Sequence, residues 1–138
     1  MSKLKLIGVS ALGPTDVQLF GNPTAGNGSF TTNATRGKLP EIVVGLDHEQ
    51  WWRCLEVFHH EVNEYTMTVH GCRYNNSMET ANNSAEYRFW FDHQQFAEMC
   101  AHAAYYTDKL GAALKKEWRA SRKVKSDIER LSRKAGGK

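Results

Sequence analysis

The sequence lacks the features that mark several large classes of protein. Its three cysteines are an odd number and include no Cys-x-x-Cys pair, which argues against a disulfide framework and against a zinc ribbon. No apolar run approaches the length of a membrane span, and residues 1–7 are interrupted at Gly8 before they reach the apolar length of a signal peptide. We therefore expect a cytoplasmic protein without a membrane segment.

Two common catalytic motifs are also missing. There is no Gly-x-Ser-x-Gly, the usual sign of a serine hydrolase. Residues 21–28 contain three glycines, but they lack both the Lys-Ser/Thr ending of a phosphate-binding loop and the glycine spacing of a dinucleotide site. Turn chemistry is the simpler explanation of these glycines, so the sequence gives no support to a nucleotide enzyme.

Charge is distributed unevenly along the chain. The formal net charge of the 138 residues is +3, but residues 115–138 hold ten Lys or Arg against three acids, a net charge of +7. The first 114 residues consequently carry −4. We expect residues 1–118 to form a single domain and residues 119–138 to form a basic tail that is helical or partly disordered.

Apolar periodicity predicts both strands and helices. Short runs within residues 3–10, 17–20, 29–32 and 42–46 have the composition of strands, and residues 86–91 form a further aromatic strand candidate. Two longer stretches have helical periodicity. The fold class that we expect is α+β, with a small antiparallel or mixed sheet from the N-terminal half and residues 87–91, covered by two long helices.

The clearest periodicity lies between Glu49 and about His70. Its apolar positions are spaced by 4, 3, 4, 3 and 4 residues, as on one face of a helix, and they are Trp51, Leu55, Phe58, Val62, Tyr65 and Val69. We expect Asp47 to cap the start of this helix and Gly71 to end it. Asp92 is expected to cap the second helix, whose apolar stripe is Phe96, Cys100, Ala103, Leu110, Leu114 and Trp118.

The polar face of the first helix carries the most distinctive chemistry in the sequence. His60 and Glu64 are four residues apart, so that an imidazole nitrogen and a carboxylate oxygen can reach one metal ion. Glu61 lies where a general base would activate a metal-bound water. The alternative is a solvated or partner-facing helix surface, because a histidine and two glutamates opposite an apolar stripe are common on any exposed helix.

A strand, residues 42–44, followed by a helix with His60-Glu61-x-x-Glu64 resembles the strand and active-site helix of small zincin metallopeptidases, over about residues 42–70. Glu64 stands where that family has its second histidine. The resemblance implies zinc as cofactor, catalysis by Glu61, and a third ligand downstream, for which His93 is the main candidate and His70 and Asp92 are the others. The short chain with a basic tail is also similar to uncharacterised small bacteriophage proteins.

The basic tail is the second candidate site. Its predicted partner-binding residues are Arg119, Arg122, Lys123, Lys125 and Arg130. These cations could bind phosphates or an acidic partner, although no aromatic residue follows Trp118 to stack on bases. A solvated terminal helix is the alternative.

Three functions therefore stay open. The leading expectation is a non-catalytic accessory protein of phage type that binds a host or viral macromolecule, most simply a protein, in the host cytoplasm. The alternatives are a zinc-dependent hydrolase centred on Glu61 and a nucleic-acid-binding module acting through the tail. The sequence leaves the oligomeric state open, and a homodimer is compatible with it.

Overall fold

The computed structural model of the protein describes residues 3–12, 15–32, 38–75 and 87–136. Within these ranges the chain forms six strands and two helices. In chain order they are β1 (Lys5–Leu12), β2 (Thr15–Asn22), β3 (Ser29–Phe30), β4 (Glu41–Gly45), α1 (Trp51–Val69), β5 (Arg73–Asn75), β6 (Tyr87–Phe89) and α2 (His93–Ala135). The α+β class expected from the sequence is confirmed.

The main sheet has four strands in the order β1-β2-β4-β3 and is mixed. β1 is antiparallel to β2, β2 is parallel to β4, and β3 is antiparallel to β4. Leu19 of β2 is paired with Ile42 of β4, and both side chains are fully buried. Because alternate residues of a strand point to the same face, Val17 and Val44 are buried with them in the core beneath the helices.

The expectation that residues 87–91 join this sheet is wrong. Within the described residues, β6 pairs instead with β5 in a separate two-stranded antiparallel sheet, in which Arg73 is opposite Phe89. The ladder is extended by the amide of Trp90, which donates to the carbonyl oxygen of Cys72 at 2.9 Å. The sequence of β5 is too short and polar to be recognised as a strand, so the partner of β6 was not predicted.

The two helices pack antiparallel to each other. The ring centroids of Trp51 and Trp118 are 5.8 Å apart at one end, and those of Phe58 and Tyr106 are 6.5 Å apart further along. Tyr106 is fully buried and donates its hydroxyl to the carbonyl oxygen of Ser10 in β1, at 2.8 Å. This residue therefore joins both helices to the sheet, and burial raises the pKa of its phenol.

The two helix starts differ from each other. α2 begins as expected, because the Asp92 side chain accepts from the amide of Gln95 and the Gln95 side chain accepts from the amide of Asp92. The expectation for α1 is wrong, since Gln50 is its N-cap and makes no side-chain capping bond. Asp47 instead pairs with Lys125 of α2, at 2.8 Å. Gly71, with a positive φ of 71°, follows the end of α1 as expected.

Beyond Trp118, α2 continues without interruption to Ala135. The predicted tail is thus helical in residues 119–135, while residues 137 and 138 lie outside the described residues. The 43 residues of α2 correspond to a length of about 65 Å. No helix in the described ranges is long and apolar enough to cross a membrane. The division into a domain of residues 1–118 and a tail stays a prediction.

A close backbone contact fixes the loop between β2 and β3. A Cβ atom on Gly45 would lie 2.5 Å from the carbonyl oxygens of both Ala25 and Asn27, so only glycine leaves room for the loop. Two hydrogen bonds reinforce the contact, from Leu46 N to Asn22 O at 2.8 Å and from Asp47 N to Ala25 O at 3.0 Å. The loop is therefore held over the end of β4.

We expect Gly45→Ala to lower the free energy of unfolding by about 1–3 kcal/mol, because backbone atoms rather than flexible side-chain ends must move. Urea denaturation measures it. Gly26→Ala in the same loop is the matched control, since its Cβ would meet His48 at an ordinary 3.6 Å. Equal stability of the two variants would show that the loop does not depend on contact with Gly45.

Candidate functional site

A pocket of about 420 Å³ lies between this loop and α1. Residues 26–28 of the loop form one wall, and Val57, His60 and Glu61 of α1 form another. His48, from the segment that joins β4 to α1, also lines it. The pocket thus collects side chains from three parts of the chain and includes the predicted catalytic residue, Glu61.

Glu61 is buried, with only 5% of its surface exposed. A Cβ atom on Gly28 would lie 2.5 Å from Glu61 Cγ and 2.7 Å from Glu61 Oε1, so the glycine allows the loop backbone to cover this side chain. The Glu61 carboxyl group makes no hydrogen bond within the described part of the chain, and His60 Nε2 lies 4.0 Å from its Oε1. The alternative that Glu61 belongs to a solvated helix surface is therefore wrong.

Burial also changes the acidity of this group. Loss of solvent raises the pKa of the Glu61 carboxyl above its ordinary value of 4.5, and the neighbouring Glu64 carboxylate raises it further. The charges of His60 and Arg73 act in the opposite direction, but the effect of burial is larger. The site consequently favours the protonated carboxyl more than water does.

His48 has a double role in this region. Its backbone carbonyl accepts a hydrogen bond from the indole nitrogen of Trp118, at 3.0 Å, and from Nη1 of Arg122, at 3.3 Å. Its ring lies against Gly26. The Nε2 atom of the ring is buried and has no hydrogen-bond partner among the described residues. His48 thus links α2 to the pocket and brings an unsatisfied polar atom to it.

The predicted metal ligands are only partly brought together. His60 Nε2 is 3.2 Å from Glu64 Oε2, and the other carboxylate oxygen of Glu64 is 3.4 Å from Arg73 Nη2. The His60 side chain is exposed, whereas that of Glu64 is only 18% exposed. Glu64 therefore already forms two ion pairs when His60 is protonated.

The predicted third ligand does not complete the set. His93 is the exposed first residue of α2, and His70 lies 3.5 Å from Glu98 of α2, away from His60. Asp92 is used in the capping box. Among the described residues, no three His, Cys, Asp or Glu side chains are grouped so that they could hold a metal ion. The zinc site stays a prediction.

The predicted partner-binding cations fall into two groups. Lys125 pairs with Asp47 and Arg122 donates to His48, so these two hold α2 against the rest of the protein. Arg119 and Lys123 are exposed. Arg130 pairs with Asp127 on the same helix at 3.4 Å and is also exposed. Only this second group is available to a partner without loss of contacts to the body of the protein.

Sequence reasoning missed His48 and the loop that covers Glu61. The burial of Glu61 could have been predicted from the sequence. At about 100° per residue, Glu61 lies only about 40° from Tyr65 around the helix, at the border of the apolar stripe. No local sequence pattern indicates the position of the loop, because it depends on a contact between Gly45 and residues distant in the sequence.

We expect Glu61→Gln to increase the free energy of unfolding at pH 7.5 by about 1 kcal/mol, because it removes a buried charge. With the folded pKa raised, the ionised carboxyl destabilises the protein above that pKa, and this penalty is relieved as the pH falls through it towards the unfolded value. The gain should therefore shrink towards pH 4. Urea denaturation across this pH range measures it.

Glu129→Gln, at an exposed position of α2, is the control and should show no such pH-dependent gain. A Glu61→Gln protein that is less stable at pH 7.5, or whose difference from the wild type is the same at every pH, would contradict this account of the carboxyl group.

Comparison with known proteins supplies no template for these side chains. No family model, no curated protein and no solved structure matches the chain. The resemblances to zincins and to small bacteriophage proteins stay predictions. The roles of Glu61, His48 and the free part of α2 therefore follow from their own contacts, burial and charge.

Proposed function

We propose that this protein is a non-catalytic accessory protein that binds another protein, and that it does so with residues 119–135 of α2, here called the free half of α2. Its partner would present an acidic amphipathic helix. The observation that carries the proposal is an exposed apolar stripe on this half, flanked by basic side chains. A phage-type role in a host cell is the setting in which we expect such a protein.

Within the described part of the chain, hydrogen bonds and ion pairs anchor the free half at its base alone. Trp118, Ser121 and Arg122 donate hydrogen bonds to backbone carbonyls of residues 23 and 48, and Lys125 pairs with Asp47. Among the described residues, no hydrogen bond or ion pair joins residues 126–135 to the rest of the protein. At 1.5 Å per residue this last segment extends for about 15 Å.

Apolar residues line one side of the free half of α2. Val124, Ile128 and Leu131 are 58%, 58% and 61% exposed, and their spacings of four and three residues place them on one face. Helix stripes with this spacing normally lie against another helix, because exposed aliphatic side chains gain free energy when they leave water. The stripe therefore fits a helical partner.

A groove at the base of the stripe adds a concave surface. Its volume is about 590 Å³, and it lies between α2 and residues Lys5, Pro23, Thr24 and Asp47. Val124 and Ile128 contribute apolar surface to its helix side. A partner helix that packs along the stripe can place a side chain in this groove, as central residues of interfaces commonly do.

The charge of the free half favours one kind of partner for the apolar stripe over the others. The free half carries seven Lys or Arg against two acids, so two copies packed along the same stripe would repel each other. An acidic helix is attracted instead. Nucleic acid would also be attracted by the cations, but its phosphate backbone would not bury the three exposed aliphatic side chains. Residues 119–138 also contain no aromatic ring that could stack on bases.

We expect a synthetic helical peptide with a leucine seam flanked by glutamates to bind the full chain with micromolar affinity, measured by fluorescence anisotropy. The double variant Ile128→Gln/Leu131→Gln should bind at least tenfold more weakly, because about 1.5–3 kcal/mol is gained for each buried aliphatic side chain. Binding should also weaken with added salt.

The matched controls isolate the stripe and its charge. Val69→Gln removes an aliphatic side chain that is similarly exposed, on α1, and should leave peptide binding unchanged. A peptide with lysines in place of the glutamates should not bind. Equal binding of the double variant, or of the lysine peptide, would contradict the proposal.

Each alternative function predicts a result that would contradict the proposal. Sedimentation that shows a dimer lost in Ile128→Gln/Leu131→Gln would make a second copy the occupant. Duplex DNA or RNA that binds more tightly than the acidic peptide, with a steep salt dependence, would favour a nucleic-acid module. About one zinc ion per purified chain, lost in His60→Ala, would favour the hydrolase.

A further inference from the structure

The pocket at Glu61 contains a largely buried carboxyl group and a buried ring nitrogen that has no hydrogen-bond partner among the described residues. Glu61 is 5% exposed and its carboxyl group makes no hydrogen bond within the described residues. His48 Nε2 is buried and also has no partner among them. Buried polar groups in folded proteins are nearly always hydrogen-bonded. The buried His48 Nε2, in the same pocket as a carboxyl group that accepts no hydrogen bond from the described residues, therefore indicates that a donor from outside these residues supplies its partner.

The charges that line the pocket specify what this partner is. Glu56 and Glu61 contribute two carboxylates, and Arg53 contributes one guanidinium that is already paired with Glu56 at 3.1 Å. Among the described residues, the cations that act on Glu61 are His60, which is exposed and 4.0 Å away, and Arg73, whose guanidinium is paired with Glu64 at 3.4 Å. A carboxylate in this position is compensated best by a cation that also donates hydrogen bonds.

We propose that this pocket binds an organic cation with several N–H donors, a guanidinium or primary ammonium group. Glu61 accepts its charge-assisted hydrogen bond and Nε2 of His48 accepts another. The remainder of the ligand lies against Val57 and the backbone of residues 26–28. This site is separate from the free half of α2 and does not depend on the function proposed for it.

Space and access agree with such a ligand. A volume of about 420 Å³ lies within the range of small-molecule pockets and exceeds what one guanidinium group fills. Gly28 leaves no room beside the Glu61 side chain on the loop side, so the carboxyl group is approached from the pocket. A metal ion would require three grouped ligands, which the described residues do not offer.

The test uses methylguanidinium and methylammonium as probes of the full chain, followed by amide chemical shifts of isotopically labelled protein. Saturable shifts are expected for Gly26, Gly28 and His60. Tetramethylammonium carries the charge without N–H donors, and urea carries the donors without charge, so both should bind at least tenfold more weakly. Comparing the two cationic probes decides which group the pocket prefers.

Two variants test the named acceptors. Glu61→Gln keeps the shape of the side chain and should weaken binding at least tenfold, whereas Glu129→Gln, outside the pocket, should leave it unchanged. His48→Ala removes the imidazole but keeps the carbonyl that anchors α2, and should weaken binding severalfold. This variant tests the site independently of any change in stability caused by Glu61→Gln.

Three results would overturn the proposal. They are the absence of saturable shifts in the wild type, tetramethylammonium binding as tightly as methylguanidinium, and unchanged binding in both Glu61→Gln and His48→Ala. A zinc ion that binds one-to-one and displaces the probes would likewise overturn the proposal, because the ligand would then be a metal. Retention of probe binding in Ile128→Gln/Leu131→Gln is expected, and it separates this site from the peptide-binding surface.

Discussion

The loop of residues 25–27, and with it the pocket at Glu61, depends on the contact of this loop with Gly45. There is no room for a side chain at Gly45, because two loop carbonyl oxygens would each lie 2.5 Å from its Cβ. The contact fixes the loop over the end of β4, and α1 begins only six residues later. Residues 26–28 are therefore held next to α1, where Gly28 covers Glu61, the eleventh residue of this helix. Packing between backbone atoms thus creates the pocket.

The helices and most strands could be predicted from the sequence because their signals are local. The apolar spacing from Trp51 to Tyr65 identified α1 to within two residues at each end, and the Asp92 side chain marked the start of α2. Asp47 had the same local signal but pairs with Lys125 instead. A tertiary ion pair decided that case, and nothing near Asp47 in the sequence indicates it.

The candidate site was predictable only in part. His60, Glu61 and Glu64 follow from helical spacing, but the burial of Glu61 depends on Gly28, and the unsatisfied nitrogen of His48 depends on its packing against the loop. Neither contact has a local pattern. The same limitation affected the small second sheet, since β5 and β6 have only three residues each and β5 is placed by the turn at Gly71 that follows α1.

The anchoring of α2 at His48 has a mechanical consequence. Trp118 and Arg122 both donate to the carbonyl oxygen of His48 and Ser121 donates to that of Pro23, so residues 119–135 form an arm of about 25 Å that is held at its base by backbone carbonyl groups. The side chain of that same residue lines the Glu61 pocket. A force applied at the far end of α2 is therefore transmitted to the body of the protein next to this pocket, with the ion pair between Lys125 and Asp47 as the second point of support.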